Sequence, residues 1–153
     1  MLQTILQAIW EIGTGDTELI ALWTCLGQPD QEPLFFLGMA PDETPMPYVT
    51  YDIYAAGSGD GAWPMANYRL EFRVYDFGND KSRILAIVQR LIDLYNLRGY
   101  DVDPNKAMGV RTYEADGPAR VETGAKIVSA YAVGFPMRAL NVGALNAQTV
   151  GPR

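Results

Sequence analysis

The sequence contains no histidine. Ser-His-Asp and Cys-His nucleophilic sites, His-ligated zinc and histidine general bases are therefore excluded together. The candidates that stand in a recognisable pattern are carboxylates and one thiol. Asp101-Val102-Asp103-Pro104-Asn105 begins like a calcium loop, but its sixth position is Lys106 instead of glycine and its twelfth is Thr112 instead of a bidentate glutamate. The segment reads as a helix-to-strand turn with exposed carboxylates. Asp52 and Asp76 fall on the two strands of one expected hairpin and could pair as acid and base. Nothing else marks them, and polar strand faces carry many such residues. Cys25 sits on an apolar helical segment with no basic neighbour to lower its pKa, which suits a core or interface thiol better than a nucleophile. Gly57-Ser58-Gly59-Asp60-Gly61 lacks the final spacing of a dinucleotide fingerprint and precedes a strand, so it reads as a hairpin loop. The expectation is a protein with no catalytic centre, no metal and no cofactor.

Aromatic residues point elsewhere. Three tryptophans and nine tyrosines are many for a chain of this size, and exposed aromatics are common interface anchors. Trp63 lies in the glycine-rich loop, where it either anchors a partner or folds back over its own sheet. Gly57, Gly59, Asp60, Trp63 and Pro64 form one candidate interface. The tail 141–153 is small and polar without periodicity, and its Asn141, Val142, Leu145 and Arg153 are candidates for contact with a neighbouring subunit.

The elements that position these residues belong to one domain. The chain has 153 residues, 48% of them hydrophobic and 20% charged, which are globular values. A net charge of −6 disfavours a conventional nucleic-acid surface. The single cysteine fits a reducing compartment. No secretory signal and no apolar run long enough to cross a bilayer is evident, so the expectation is a soluble protein made in the cytoplasm.

Leu2, Ile5, Leu6 and Ile9 repeat at helical spacing, and Gly13-Thr14-Gly15 breaks that helix. Asp16 is an N-cap for a second helix carrying Leu19, Ile20, Leu22, Trp23 and Leu26, with Gly27 and Pro29 ending it. The stretch 27–47 holds five of ten prolines and reads as an extended connection anchored by Phe35, Phe36 and Leu37. A strand follows over 48–56, with Val49, Tyr51, Ile53 and Ala55 on one face and Thr50, Asp52 and Tyr54 on the other. The return strand over 67–76 sets Tyr68, Leu70, Phe72 and Val74 against Arg69, Glu71 and Arg73. Asn79 or Asp80 caps the longest helix, whose stripe is Ile84, Ile87, Val88, Leu91, Leu94 and Tyr95, widened by Leu85 and Ile92 and closed by Gly99. Two further strands are expected over 107–114 and 126–138, with Gly117-Pro118 and Gly124 as turns between them. Pro136 marks an edge or exit. The predicted class is α+β, an antiparallel sheet packed against helices in the order α-α-β-β-α-β-β, with an extended C-terminal tail.

Ala40-Pro41 followed by Pro45-Met46-Pro47-Tyr48-Val49-Thr50-Tyr51 resembles the proline-led first strand of the tail-completion, or tail-terminator, proteins of long-tailed bacteriophages. The preceding helices, the Gly/Asp loop, the strand ending in Val74-Tyr75-Asp76 and the helix opened near Asn79 follow the same order, so the resemblance covers nearly the whole chain. It implies a virion protein, a subunit of a commonly sixfold ring in the tail and neck. Such a ring ends polymerisation of the tail tube and offers its other face to the head connector. Its partners would be copies of itself, the tail-tube protein and neck proteins, with no membrane. DNA would pass through the lumen without specific binding, which suits an acidic protein. Another neck component, an adaptor or stopper, is the neighbouring reading. A small ligand-binding domain or enzyme is the competing class, against which the missing histidine and the missing convergent polar cluster count.

Overall fold

Strict alternation of apolar and polar residues favours a strand that buries one face, and two such strands organise this molecule. A computed structural model describes residues 2–24, 33–55, 65–77, 81–103, 108–124 and 128–141. The helices are α1 (Leu2–Thr14), α2 (Thr17–Thr24) and α3 (Ser82–Tyr95). The strands are β1 (Phe35–Leu37), β2 (Tyr48–Ala55), β3 (Met65–Phe77), β4 (Gly99–Asp103), β5 (Met108–Thr112), β6 (Asp116–Val121) and β7 (Val128–Asn141). They form one sheet in the order β1-β2-β3-β7-β5-β4, with β6 also paired to β7. Only β1 and β2 run parallel; every other pair is antiparallel. The class is α+β with the sheet packed on helices, as the hydrophobic pattern requires.

The register aligns the apolar members of each alternation. Val49 lies opposite Val74 and then Tyr131; Tyr51 opposite Phe72 and Val133; Ile53 opposite Leu70 and Phe135. Against this face α3 lays Ile84, Ile87, Val88, Leu91, Leu94 and Tyr95, all buried. From α1 come Ile5 and Ile9, and from α2 Leu19 and Trp23. Phe72 stands at the centre, with ring centroids of Tyr95, Phe135, Phe35 and Tyr51 between 4.6 and 6.3 Å away. The expected core residues meet here, although Ile53 is only partly buried and Leu85, read as widening the α3 stripe, is 43% exposed.

Polar contacts hold the helices in place. The Leu19 amide donates to the Asp16 carboxylate at 3.0 Å, the N-cap bond expected of that residue. Arg90 on α3 grips the same carboxylate with two hydrogen bonds of 2.8 and 2.9 Å. This guanidinium, against an opposing desolvation cost, holds the Asp16 carboxyl below its ordinary range. The Tyr95 hydroxyl donates to the Ile9 carbonyl at 2.7 Å, tying α3 to α1.

Several expected boundaries move. Phe35–Leu37 forms β1, a parallel edge strand, with buried Phe35 as the anchor. Helix α1 does end at Gly13-Thr14-Gly15, with Thr14 its last residue, and Gly13 in its last turn has a second use, because a Cβ there would come within 2.4 Å of the Phe35 ring. Residues 79 and 80 lie outside the described residues, as do Gly27 and Pro29; Lys81 occupies the α3 N-cap without a side-chain cap bond. The helix ends at Tyr95 and not at Gly99, which belongs to β4. Its close is made from β5 instead: the Thr112 hydroxyl donates to the Tyr95 carbonyl and accepts from the Arg98 amide. Asp101 and Asp103, expected in a turn, are part of β4.

Gly117-Pro118, expected as a turn, lies within β6, while Gly124 does lie between β6 and β7. Strand β7 has β3 along one edge and shares the other between β6, paired to residues 130–134, and β5, paired to residues 137–141. Pro136 lies inside this strand and not at an exit. Its carbonyl accepts from the Tyr113 amide, so its nitrogen faces the same side, at the junction between β6 and β5 where no ladder donor is needed.

Three outcomes test this packing. Phe72→Ala or Leu91→Ala should cost about 2–5 kcal/mol in chemical denaturation, the range of buried large-to-small changes. Gly13→Ala normally gains up to about 1 kcal/mol in a helix, but overpacking against Phe35 should turn it into a loss of about 1–3 kcal/mol. Asp16→Asn keeps a capping oxygen and loses the ion pair. Because the folded carboxyl is depressed, its contribution of about 1–2 kcal/mol is present at neutral pH. The contribution fades as pH falls below about 3.9, so the wild-type and variant stability curves should converge in acid.

Candidate functional site

The polar members of the same alternation form the sheet face turned away from the helices. At one end Tyr48 and Tyr75, opposite each other in register, stack with centroids 4.9 Å apart, and Phe36 meets Tyr48 edge-on at 6.3 Å. Burial raises the Tyr48 hydroxyl above its ordinary range, and Tyr75 adds to the effect. Beside them Arg73 donates to Glu71 at 2.9 Å. Thr50, Asp52, Tyr54, Glu71, Arg73 and Tyr75 line an open depression of about 150 Å³.

The middle of the face is tied to β6. Arg69 reaches across Gly134 to Asp116 and makes two hydrogen bonds of 2.5 and 2.6 Å. A Cβ on Gly134 would come within 2.1 Å of the guanidinium, so the glycine is what lets the arginine lie flat over β7. The arginine holds the Asp116 carboxyl below its ordinary value.

At the far end Arg138 on β7 stands directly opposite Arg111 on β5. The Arg138 Nε donates to Asn67 at 3.0 Å, and the Arg111 guanidinium lies over the Tyr113 ring at 5.9 Å. A second depression of about 250 Å³ opens here, with Tyr113, Pro136 and Arg138 in its lining.

The candidate acid–base pair is not assembled. Asp52 lies opposite Glu71 on the open face, whereas Asp76 follows Leu70, Phe72 and Val74 on the helix face. Asp76 is 1% exposed and is held by Arg83 with two hydrogen bonds of 2.5 and 2.6 Å. The sheet separates the two carboxylates. Among the described residues no group of three or more cysteines and carboxylates is placed to hold a metal ion, and no helix is long and apolar enough to cross a membrane.

Of the interface residues expected from sequence, Gly57, Gly59, Asp60, Trp63, Pro64, Val142, Leu145 and Arg153 lie outside the described residues, as does Cys25. Asn141 is the last residue of β7, opposite Met108 on β5. Sequence reasoning missed the Arg69–Asp116 bridge and the Arg111–Arg138 juxtaposition. Both depend on which strands pair and in what register, and the only sequence signal was the recurrence of arginine at polar positions of the strands. Among the described residues the face offers aromatic rings, ion pairs and arginines. No protein-family model matches the chain, and no curated protein matches it.

Proposed function

We propose that this protein is a structural subunit of a bacteriophage virion, one member of a ring that caps the tail tube, ends its polymerisation and joins the tail to the head. The observation that carries the reading is the division of the sheet. Helices cover one face, while the other keeps Tyr54, Arg73, Arg111 and Arg138 exposed at the surface. A ring subunit needs such a two-sided body, one side for its own core and the other surfaces for neighbours.

The proline-led segment that resembles the tail-terminator family supports the reading as well. Its strand end is built into the core, since the Trp23 indole N–H donates to the Pro47 carbonyl at 3.1 Å and Val49 is fully buried two residues on. Heterologous contacts between copies close into a ring when the rotation closes. A net charge of −6 keeps the lumen from holding DNA. The function requires no catalysis.

Electron microscopy of a phage lacking the protein tests the proposal. Overlong or headless tails are the expected outcome, and normal-length tails on full heads would overturn it. Trp63→Ala should leave the monomer folded yet weaken assembly or docking by about 1–3 kcal/mol, as removal of an aromatic anchor does.

A further inference from the structure

Arg111 and Arg138 stand opposite each other across the β5–β7 ladder on one face of the sheet. Like charges in that relation repel. Elsewhere on the face each arginine has its carboxylate, Asp116 for Arg69 and Glu71 for Arg73. Arg111 and Arg138 make no ion pair with any carboxylate whose side chain is described: one lies against Tyr113 and the other is held by the neutral Asn67. Two exposed arginines in register, one of them lining a depression of about 250 Å³, make a cationic patch on this end of the face.

The complementary group lies at the other side of the same sheet. The connection from β1 to β2 turns at residues 41–44, where the Thr44 amide donates to the Pro41 carbonyl, and Asp42 and Glu43 stand exposed at its tip. Neither has an ion-pair partner among the described residues. Just before them Met39 is 83% exposed and Leu37 51% exposed, an apolar flank beside the two carboxylates. Strands β3 and β7 lie between this edge and β5. The two patches make no ion pair within one chain, and between two chains they match: carboxylates to arginines, Met39 to the depression beside Tyr113.

We infer that the Arg111–Arg138 pair receives the Asp42–Glu43 turn of a second copy of this chain, in a head-to-tail contact repeated around a ring. The inference rests on the ring reading above and adds the contact that closes it. Copies of net charge −6 repel at long range, so association needs a local patch of opposite sign, and the contact weakens with salt.

The test uses two full-length variants, R111E/R138E and D42K/E43K, weighed by sedimentation over a concentration series. Each alone should assemble at least about tenfold more weakly than wild type, as reversal of interfacial charge does. An equimolar mixture should assemble again with equal numbers of the two, since each variant then meets its opposite on both sides. Recovery also excludes misfolding as the cause of the loss. Variants that assemble like wild type, a mixture that fails to recover, or a wild type that stays monomeric would each overturn the contact. The tail phenotype of the phage lacking the protein judges the ring reading separately, so a failed contact and a failed function are told apart.

Discussion

The pairing of β3 with β7 is the constraint on which everything else depends. It runs through thirteen consecutive register positions, from Met65 opposite Leu140 to Phe77 opposite Val128. A strand period of two admits no partial error: a slip by one residue would send Leu70, Phe72 and Val74 to solvent and bury Arg69, Glu71 and Arg73. Once this ladder is set, β2 has its place along β3, and β5 and β6 divide the remaining edge of β7. Phe72 then stands at the centre of the core, within ring contact of Phe35 from β1, Tyr51 from β2, Tyr95 from α3 and Phe135 from β7.

The same ladder creates the open face. Polar side chains excluded from the core are brought into rows, and the rows decide which charges meet. Arg69 and Asp116 are 47 residues apart in the chain and become a two-bond pair because β6 joins β7 on the side away from β3. With 37% and 57% of their side chains exposed, this pair adds little to stability. Its consequence is positional: it ties β6 to β3 across β7.

Where the helices are concerned, packing overrode local signals. Gly13 lies in the last turn of α1, where propensity puts a breaker, and it also leaves room for the Phe35 ring. Closure of α3 falls not to Gly99 but to Thr112, a strand residue seventeen positions beyond Tyr95 in the chain. There a short-range rule names the right problem, a helix to be ended, and a distant side chain solves it.

The sequence by itself determined the helices' buried stripes, the two faces of β2 and β3, the Asp16 cap and the α+β class, because hydrophobic period and capping chemistry are local properties read within one or two turns. The absence of histidine removed the designs that need an imidazole. Strands β1, β4 and β6 escaped it because each is short and defined by a partner more than by its own alternation. Only the tertiary structure decided that Asp52 and Asp76 lie on opposite sides of the sheet, that Pro136 sits inside a long strand, and that Arg111 faces Arg138. These are facts of pairing and register, and register is fixed by long-range burial that no single segment contains.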